Sequence, residues 1–183
     1  MKRPEVVTGI ALDAEEIHAR IERLARDVVK TYRAGSRVLM VVILEGARQF
    51  ARDLTYELLK YTSARFEIGY ITARSYHGGR KSGGKVEVDD ATLGDVAGRE
   101  ILLVDDVYDS GLTLRAVTEH LLSRGARKVK TCVFLEKRRA HEAPAAIDHL
   151  GATVEDRFLI GYGLDLGGAY RDLPYVAYAD ERC

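Results

Sequence analysis

Cysteine and proline are scarce in this chain, and no long apolar run is present. The 183 residues include two cysteines. Cys132 lies in an apolar stretch and Cys183 is the last residue, so neither a disulfide framework nor a metal-ligand spacing is on offer. A buried thiol and a frayed end are expected, and with them a reducing, cytoplasmic setting. Three prolines, and no repeat, low-complexity run or long linker, leave nothing to divide the chain into separate domains. Met1-Lys2-Arg3-Pro4 leads into no extended apolar segment, so neither a signal peptide nor a membrane span is expected. An excess of one charge is lacking too. Lys+Arg and Asp+Glu both number 28, which gives no overall attraction for nucleic acid. Neither Gly-x-Gly-x-x-Gly nor a Walker-type sequence occurs, which argues against dinucleotide and nucleoside triphosphate sites.

What is present is a chain 46% hydrophobic and 31% charged, suited to one globular domain, residues 1–183, with at most a small appended lobe. Asp13 and Glu16 have capping-box spacing, and Ile17, Ile21, Leu24 and Val28 share one helical face, which predicts a helix from about Asp13 to Arg33. His18 reads as a surface residue of that helix. Arg37 to Leu44 reads as a buried strand, followed by Glu45-Gly46-Ala47-Arg48 and a helix ending near Lys60. Phe66 to Ala73 alternates as a half-exposed strand. Arg74 to Lys85 holds four glycines and four Lys/Arg residues, a composition that will not pack and suits a lid over an anionic substrate. Val86 to Val88 returns as a strand. Further strands are expected at Lys128–Leu135, Ala146–Leu150, Phe158–Ile160 and Tyr175–Tyr178. Strands alternating with helices predict an α/β fold, a parallel-sheet core flanked by helices on both faces. Ligands of such sheets bind outside the carboxyl ends of the strands.

The most informative stretch runs from Ile101 to Thr113. A branched apolar strand ends in Asp105 and Asp106; Asp109, Ser110, Gly111 and Thr113 then open a helical run through Leu114, Val117 and Leu121. Unpartnered amides at a helix start, with the macrodipole behind them, form an anion cup, and two hydroxyls add donors. Carboxylates would repel a phosphate but suit sugar hydroxyls, a magnesium ion or a proton to be removed. A capped turn needs one acid, not three. The loop therefore suits a sugar phosphate held at both ends.

Val104-Asp105-Asp106-Val107-Tyr108-Asp109-Ser110-Gly111-Leu112-Thr113 resembles the phosphoribosyl pyrophosphate signature of the type I phosphoribosyltransferases, and the surrounding sequence is most similar to their hypoxanthine-guanine branch. The likeness runs from about Val38 to the end. It implies the type I fold, with a core at about 37–140 and a small base-binding hood from the N-terminal segment and about 145–183. It implies transfer of a phosphoribosyl group to N9 of a 6-oxopurine, giving IMP or GMP and pyrophosphate, with Mg2+ as cofactor. By the same resemblance Asp109, Ser110, Gly111, Leu112 and Thr113 take the 5′-phosphate, and Asp105 and Asp106 the ribose and metal. Asp109 is also the general base. Lys137 meets the purine 6-oxo group, Phe158 stacks on the base, and Leu159 offers backbone groups. Asp165 adds to the purine site and a second metal. Glu45, Gly46 and Arg171 contact pyrophosphate, and Ser75-Tyr76 lies in the lid. An ammonium only donates, so Lys137 favours an oxygen over adenine's amino group. Purine enzymes commonly carry Leu-Lys-Gly where this chain has Leu44-Glu45-Gly46; a carboxylate there repels pyrophosphate unless Arg48, another cation or a magnesium water pairs with it. A homodimer or homotetramer is expected, with no nucleic-acid or membrane partner. Two alternatives share the fold: an enzyme for xanthine or another base, and a nucleic-acid-binding regulator that senses phosphoribosyl pyrophosphate.

Overall fold

The computed structural model describes residues 4–75, 86–138 and 145–180. In chain order the elements are β1 (Val7–Leu12), α1 (Ala14–Val28), β2 (Arg37–Leu44), α2 (Ala47–Leu58), β3 (Arg65–Ser75), β4 (Val86–Asp89), β5 (Glu100–Tyr108), α3 (Leu112–Ser123), β6 (Lys128–Lys137), β7 (His149–Val154), β8 (Leu159–Ile160) and β9 (Val176–Ala179). Six strands form the main sheet in the order β4-β3-β2-β5-β6-β7. All neighbours are parallel except β3 and β4.

Strand β2 shows why this sheet is covered twice. Val38, Met40 and Val42 face a core shared with α1 and α2, while Leu39, Val41 and Ile43 face a second core shared with α3. A strand's period of two sends alternate side chains to opposite faces, so a run apolar at every position needs helices on both. Each such side chain, fully buried, contributes about 1.5–3 kcal/mol. On the α1 and α2 face, Phe50 stacks on Phe134 with centroids 5.0 Å apart, and Tyr162 tilts onto Phe134 at 5.3 Å. That aromatic column joins α2, β6 and the segment after β8.

The capping box forms as expected, with Asp13 accepting from the Glu16 N–H at 2.9 Å and Glu16 from the Asp13 N–H at 3.0 Å. The helix stops earlier than Arg33. After Val28 a short 3-10 turn, Val29–Thr31, leads to an extended Tyr32. The Tyr32 ring is buried edge-on to Phe66 and its hydroxyl donates to the Ile101 carbonyl at 3.2 Å, so the chain is drawn off the helical path into the core. The strand expected at Ala146–Leu150 lies later, at His149–Val154. Residues 146–148 are instead pinned to β6 by side chains: Thr131 Oγ1 donates to the Ala146 carbonyl and Asp148 accepts from the Thr131 N–H. Because β7 belongs to the main sheet, that sheet extends past residue 140. In β3 the buried residue is Ile71, while Ile68 and Tyr70 are exposed.

The two ends of the chain build a second sheet, β1-β9-β8. Its register runs from Val7 opposite Ala179 to Leu12 opposite Val176. Ile160, Leu173 and Ala177 form its small core, with Phe158 packed at the edge. Strand β1 was not expected from the sequence. Cys132 is buried and His18 exposed, as read from their settings; Cys183 lies outside the described residues.

Candidate active site

Parallel register brings the carboxyl ends of β2, β5 and β6 to one edge of the main sheet. A cavity of about 290 Å3 opens there, lined among others by Glu45, Gly46, Asp105, Asp106, Thr113, Asp165 and Arg171. A smaller adjoining hollow is lined by Asp105, Tyr108, Asp109, Ser110, Gly111 and Thr113. Asp105 and Thr113 border both.

The smaller hollow follows from one backbone turn. Gly111 takes φ +85°, a left-handed conformation that only glycine adopts freely, and so redirects β5 into α3. Helical bonding starts with the Arg115 N–H on the Gly111 carbonyl. The amides of Thr113 and Leu114 are thus left as first-turn donors, while the Leu112 N–H donates to Ser110 Oγ at 3.4 Å. Positive dipole, free amides and hydroxyls face one space, which suits a phosphate.

Asp105 is buried and Asp106 half-buried. Asp105 accepts from the Asp106 N–H at 3.1 Å, and Asp106 from the Val107 N–H at 2.9 Å. Burial pushes the Asp105 carboxyl well above the usual aspartate range, and the neighbouring Asp106 carboxylate adds to the effect. Burial raises Asp106 as well. The nearby cations are engaged elsewhere: Lys137 pairs with Asp109 at 3.0 Å and Arg171 with Asp165 at 2.7 Å. Two hard oxygen donors without an ion-pair partner among the described residues fit a divalent cation. Among those residues no three acidic, His or Cys side chains converge to enclose one. A cation here would keep waters or use substrate oxygens, as magnesium commonly does. Both Asp165 oxygens are in use, one on Arg171 and the other accepting from the Gly168 N–H at 2.7 Å. A metal would reach Asp165 through water or after one of these contacts opens.

Close backbone packing joins the walls of the larger cavity. A Cβ on Gly46 would lie 1.6 Å from Asp106 Oδ2, and one on Gly163 would lie 2.2 Å from the Gly46 carbonyl oxygen. Only glycine fits at either place. The Leu44–Glu45 peptide is cis. Glu45 turns to Arg48 in the first turn of α2, 3.3 Å away, so its charge is not aimed at the cavity unpaired. Arg171 Nη1 donates to the Gly163 carbonyl at 2.5 Å while pairing with Asp165. Residues 161–163 all have positive φ, and the one at Tyr162, +51°, is borne by a bulky side chain. Left-handed backbone costs such a residue roughly 1–2 kcal/mol, so the surrounding packing must hold it.

The fold thus gathers Glu45, Gly46, Asp105, Asp106, Asp165, Arg171 and the Asp109–Thr113 loop, and ties Lys137 to Asp109. Phe158 and Leu159 sit beside this group in the small sheet and line neither space; Leu159 is buried and registers with Tyr178 of β9. Ser75 ends β3, and Tyr76 lies outside the described residues. Sequence reasoning missed Leu164, Ala73 and Val107 as lining residues and Tyr162 as a strut. The hydrophobic side chains carried no polar signal. Tyr162 stood between two glycines, the one available hint of unusual backbone.

The family model for the phosphoribosyl transferase domain matches residues 11–166. The chain is 34% identical over 172 residues to the hypoxanthine-guanine phosphoribosyltransferase of Aquifex aeolicus, covering 94% of each. It is 32% identical over 168 residues to the hypoxanthine phosphoribosyltransferase of Escherichia coli, covering 91% of this chain and 92% of that one. A solved hypoxanthine phosphoribosyl transferase from Trypanosoma cruzi superposes with TM-score 0.89 at 28% identity, covering 98% of this chain and 95% of the other.

Proposed function

The chain belongs to the phosphoribosyltransferase family, and from that premise we propose how its residues carry out purine salvage. The protein is a hypoxanthine phosphoribosyltransferase that moves the phosphoribosyl group of phosphoribosyl pyrophosphate onto a purine base. The base is a 6-oxopurine attacked through N9, and pyrophosphate leaves. One observation supports these roles above the rest: residues from distant stretches of chain, Glu45 to Arg171, line a single cavity beside the Asp109–Thr113 cup.

The amides and hydroxyls of Ser110 to Thr113 hold the 5′-phosphate. Asp105 and Asp106 orient the ribose hydroxyls and, with Asp165, would hold Mg2+. When bound, the metal neutralises charge on the departing pyrophosphate. Gly46 lets that group approach backbone, Glu45 lends its main chain, and Arg171 offers a permanent planar cation. As the bond to pyrophosphate stretches, the ribose takes on oxocarbenium character. Asp109 removes the purine proton, a role worth about 10²–10⁴-fold. Lys137 reaches the 6-oxo group; an ammonium has three donors and can keep Asp109 at the same time. Phe158 and backbone at Leu159 complete the base site from the small sheet.

Among the described residues no helix is long and apolar enough to cross a membrane, and a cytoplasmic location accords with the buried thiol. Tyr56, Leu59, Ile68 and Tyr70 are exposed around a groove of about 590 Å3 beside the Glu45 loop. This apolar surface supports self-association as a homodimer or homotetramer.

The direct test supplies phosphoribosyl pyrophosphate and Mg2+ with hypoxanthine, guanine, xanthine or adenine in separate reactions. IMP or GMP and pyrophosphate are expected. A nucleotide from adenine alone would overturn the role of Lys137.

A further inference from the structure

Tyr162 and Asp53 belong to neither cavity wall described above, yet they meet behind it. The Tyr162 hydroxyl donates to Asp53 Oδ2 at 2.7 Å. The other oxygen, Oδ1, accepts from Arg52 Nε at 2.9 Å, so the carboxylate is held in place from its own helix. Asp53 lies on α2, the helix that starts at the Glu45–Gly46 loop. Tyr162 immediately precedes Gly163, whose backbone lies against the Gly46 carbonyl and whose own carbonyl receives Arg171. The Tyr162 ring is buried against Phe134, and its backbone N–H donates to the Leu173 carbonyl. Burial, with the facing Asp53 carboxylate adding to it, pushes the phenol above its usual pKa, so the hydroxyl remains a donor.

We propose that the Asp53–Tyr162 hydrogen bond is a positioning link for the reaction, fixing the 162–165 segment, and with it Asp165 and Arg171, against the Gly46 loop. Residues Tyr162 and Asp53 touch no substrate. They hold together two walls that arise from distant stretches of the chain, one at α2 and the other after β8. The positive φ of Tyr162 makes the link necessary: a left-handed tyrosine between two glycines has a softer alternative backbone available once its hydroxyl is released. A segment free to swing would carry Asp165 and Arg171 away from the donor's pyrophosphate and leave the Asp109–Thr113 cup untouched. The expected signature is therefore selective: weakened hold on the pyrophosphate end, with the turnover step little changed.

This inference rests on the proposed salvage reaction, and the experiment separates the two. Wild type, Tyr162→Phe, Asp53→Ala, Asp53→Asn and the double variant Tyr162→Phe/Asp53→Ala are assayed for kcat, for KM of phosphoribosyl pyrophosphate, and for inhibition by pyrophosphate. Hydrogen bonds to charged groups correspond to roughly a tenfold or larger change in an equilibrium. Tyr162→Phe and Asp53→Ala should each raise the donor KM and the pyrophosphate inhibition constant about tenfold, with kcat within about threefold. Asp53→Asn keeps an acceptor oxygen and should stay near wild type. The double variant should be no worse than either single one, as for two halves of one interaction. Asp53→Ala keeps the test open if Tyr162→Phe folds poorly, since alanine has high helix propensity and Asp53 is only half-buried on α2. Unchanged KM values in both loss variants, even with lowered melting temperatures, would make the bond structural only and overturn the proposal. Multiplying effects in the double variant would overturn it too. A wild-type protein inactive with every base would sink the salvage reading and this inference together.

Discussion

Replacing Gly46 by alanine isolates the contact between the first loop and the paired carboxylates. Gly46 has φ −59° and ψ −40°, ordinary helical values open to any residue. The backbone torsions therefore offer no resistance, although glycine is preferred over alanine at this N-cap position of α2. Space decides the outcome. The new Cβ would stand 1.6 Å from Asp106 Oδ2 and 2.7 Å from its Cγ, whereas real Cβ atoms essentially never come within 3.0 Å of such neighbours. The carboxylate must withdraw by more than an ångström and loosen its 2.9 Å bond from the Val107 N–H. A misplacement of about 1 Å at a positioning group costs on the order of 10²-fold in rate. Losing a hydrogen bond to a charged group costs about 1.5–3 kcal/mol, and a 10²-fold loss corresponds to about 2.7 kcal/mol, so the two estimates agree. The assay is initial-rate formation of IMP from hypoxanthine at saturating Mg2+, alongside thermal melting. kcat/KM should fall about 10²-fold with the fold intact. In an Asp106→Ala background the same glycine substitution should add almost nothing, because its target is gone. Activity of Gly46→Ala within threefold of wild type would refute the reasoning.

Other substitutions probe separate roles. Asp109→Asn should lose about 10²–10⁴-fold in kcat while donor affinity changes little, read by steady-state kinetics and calorimetric titration. Lys137→Gln replaces a pure donor with a group that donates and accepts; the preference for hypoxanthine over adenine should narrow, as measured by the ratio of kcat/KM values. At the far end of α3, hydrogen bonding from His120, with Arg124 adding to it, holds Asp90 below the usual aspartate value of 3.8. A lowered carboxylate pKa contributes stability above the unfolded value, and that contribution is lost as pH falls through the folded one. Asp90→Asn should therefore melt lower than wild type at pH 7, with the gap closing as pH drops below 3.8, followed by circular dichroism.

The phosphate loop was legible in the sequence because its parts are local. Three acids, a serine, a glycine and a threonine follow a buried strand within a few residues, and each has a distinct physical use. Strand β2 and its neighbours were equally plain, since burial on both faces writes a continuous apolar run. Pairings across long stretches of chain were hidden. Strand β1 acquires its partner, β9, only when the two ends meet, and no local pattern announces that ladder. Strand β7 lies later than its apolar run suggests because Asp148 and Ala146 are tied to Thr131 through its side chain and that of Asp148, and because Gly151 interrupts the run. A Cβ at Gly151 would lie 2.5 Å from the Phe134 carbonyl oxygen, so the glycine marks close packing inside a strand rather than its end. Glu45 looked adverse in sequence; its contact with Arg48, three residues on, appears once the turn of α2 brings them together. The tie between Tyr162 and Asp53 depends on a left-handed backbone that residue types alone do not reveal.

The most direct measurement is a crystal structure of the protein with phosphoribosyl pyrophosphate and Mg2+. The 5′-phosphate should rest on the amides of Ser110 to Thr113, the ribose hydroxyls should meet Asp105 and Asp106, and the pyrophosphate should lie between Gly46 and Arg171. A donor bound elsewhere while this loop stays empty would contradict the assignment of the site.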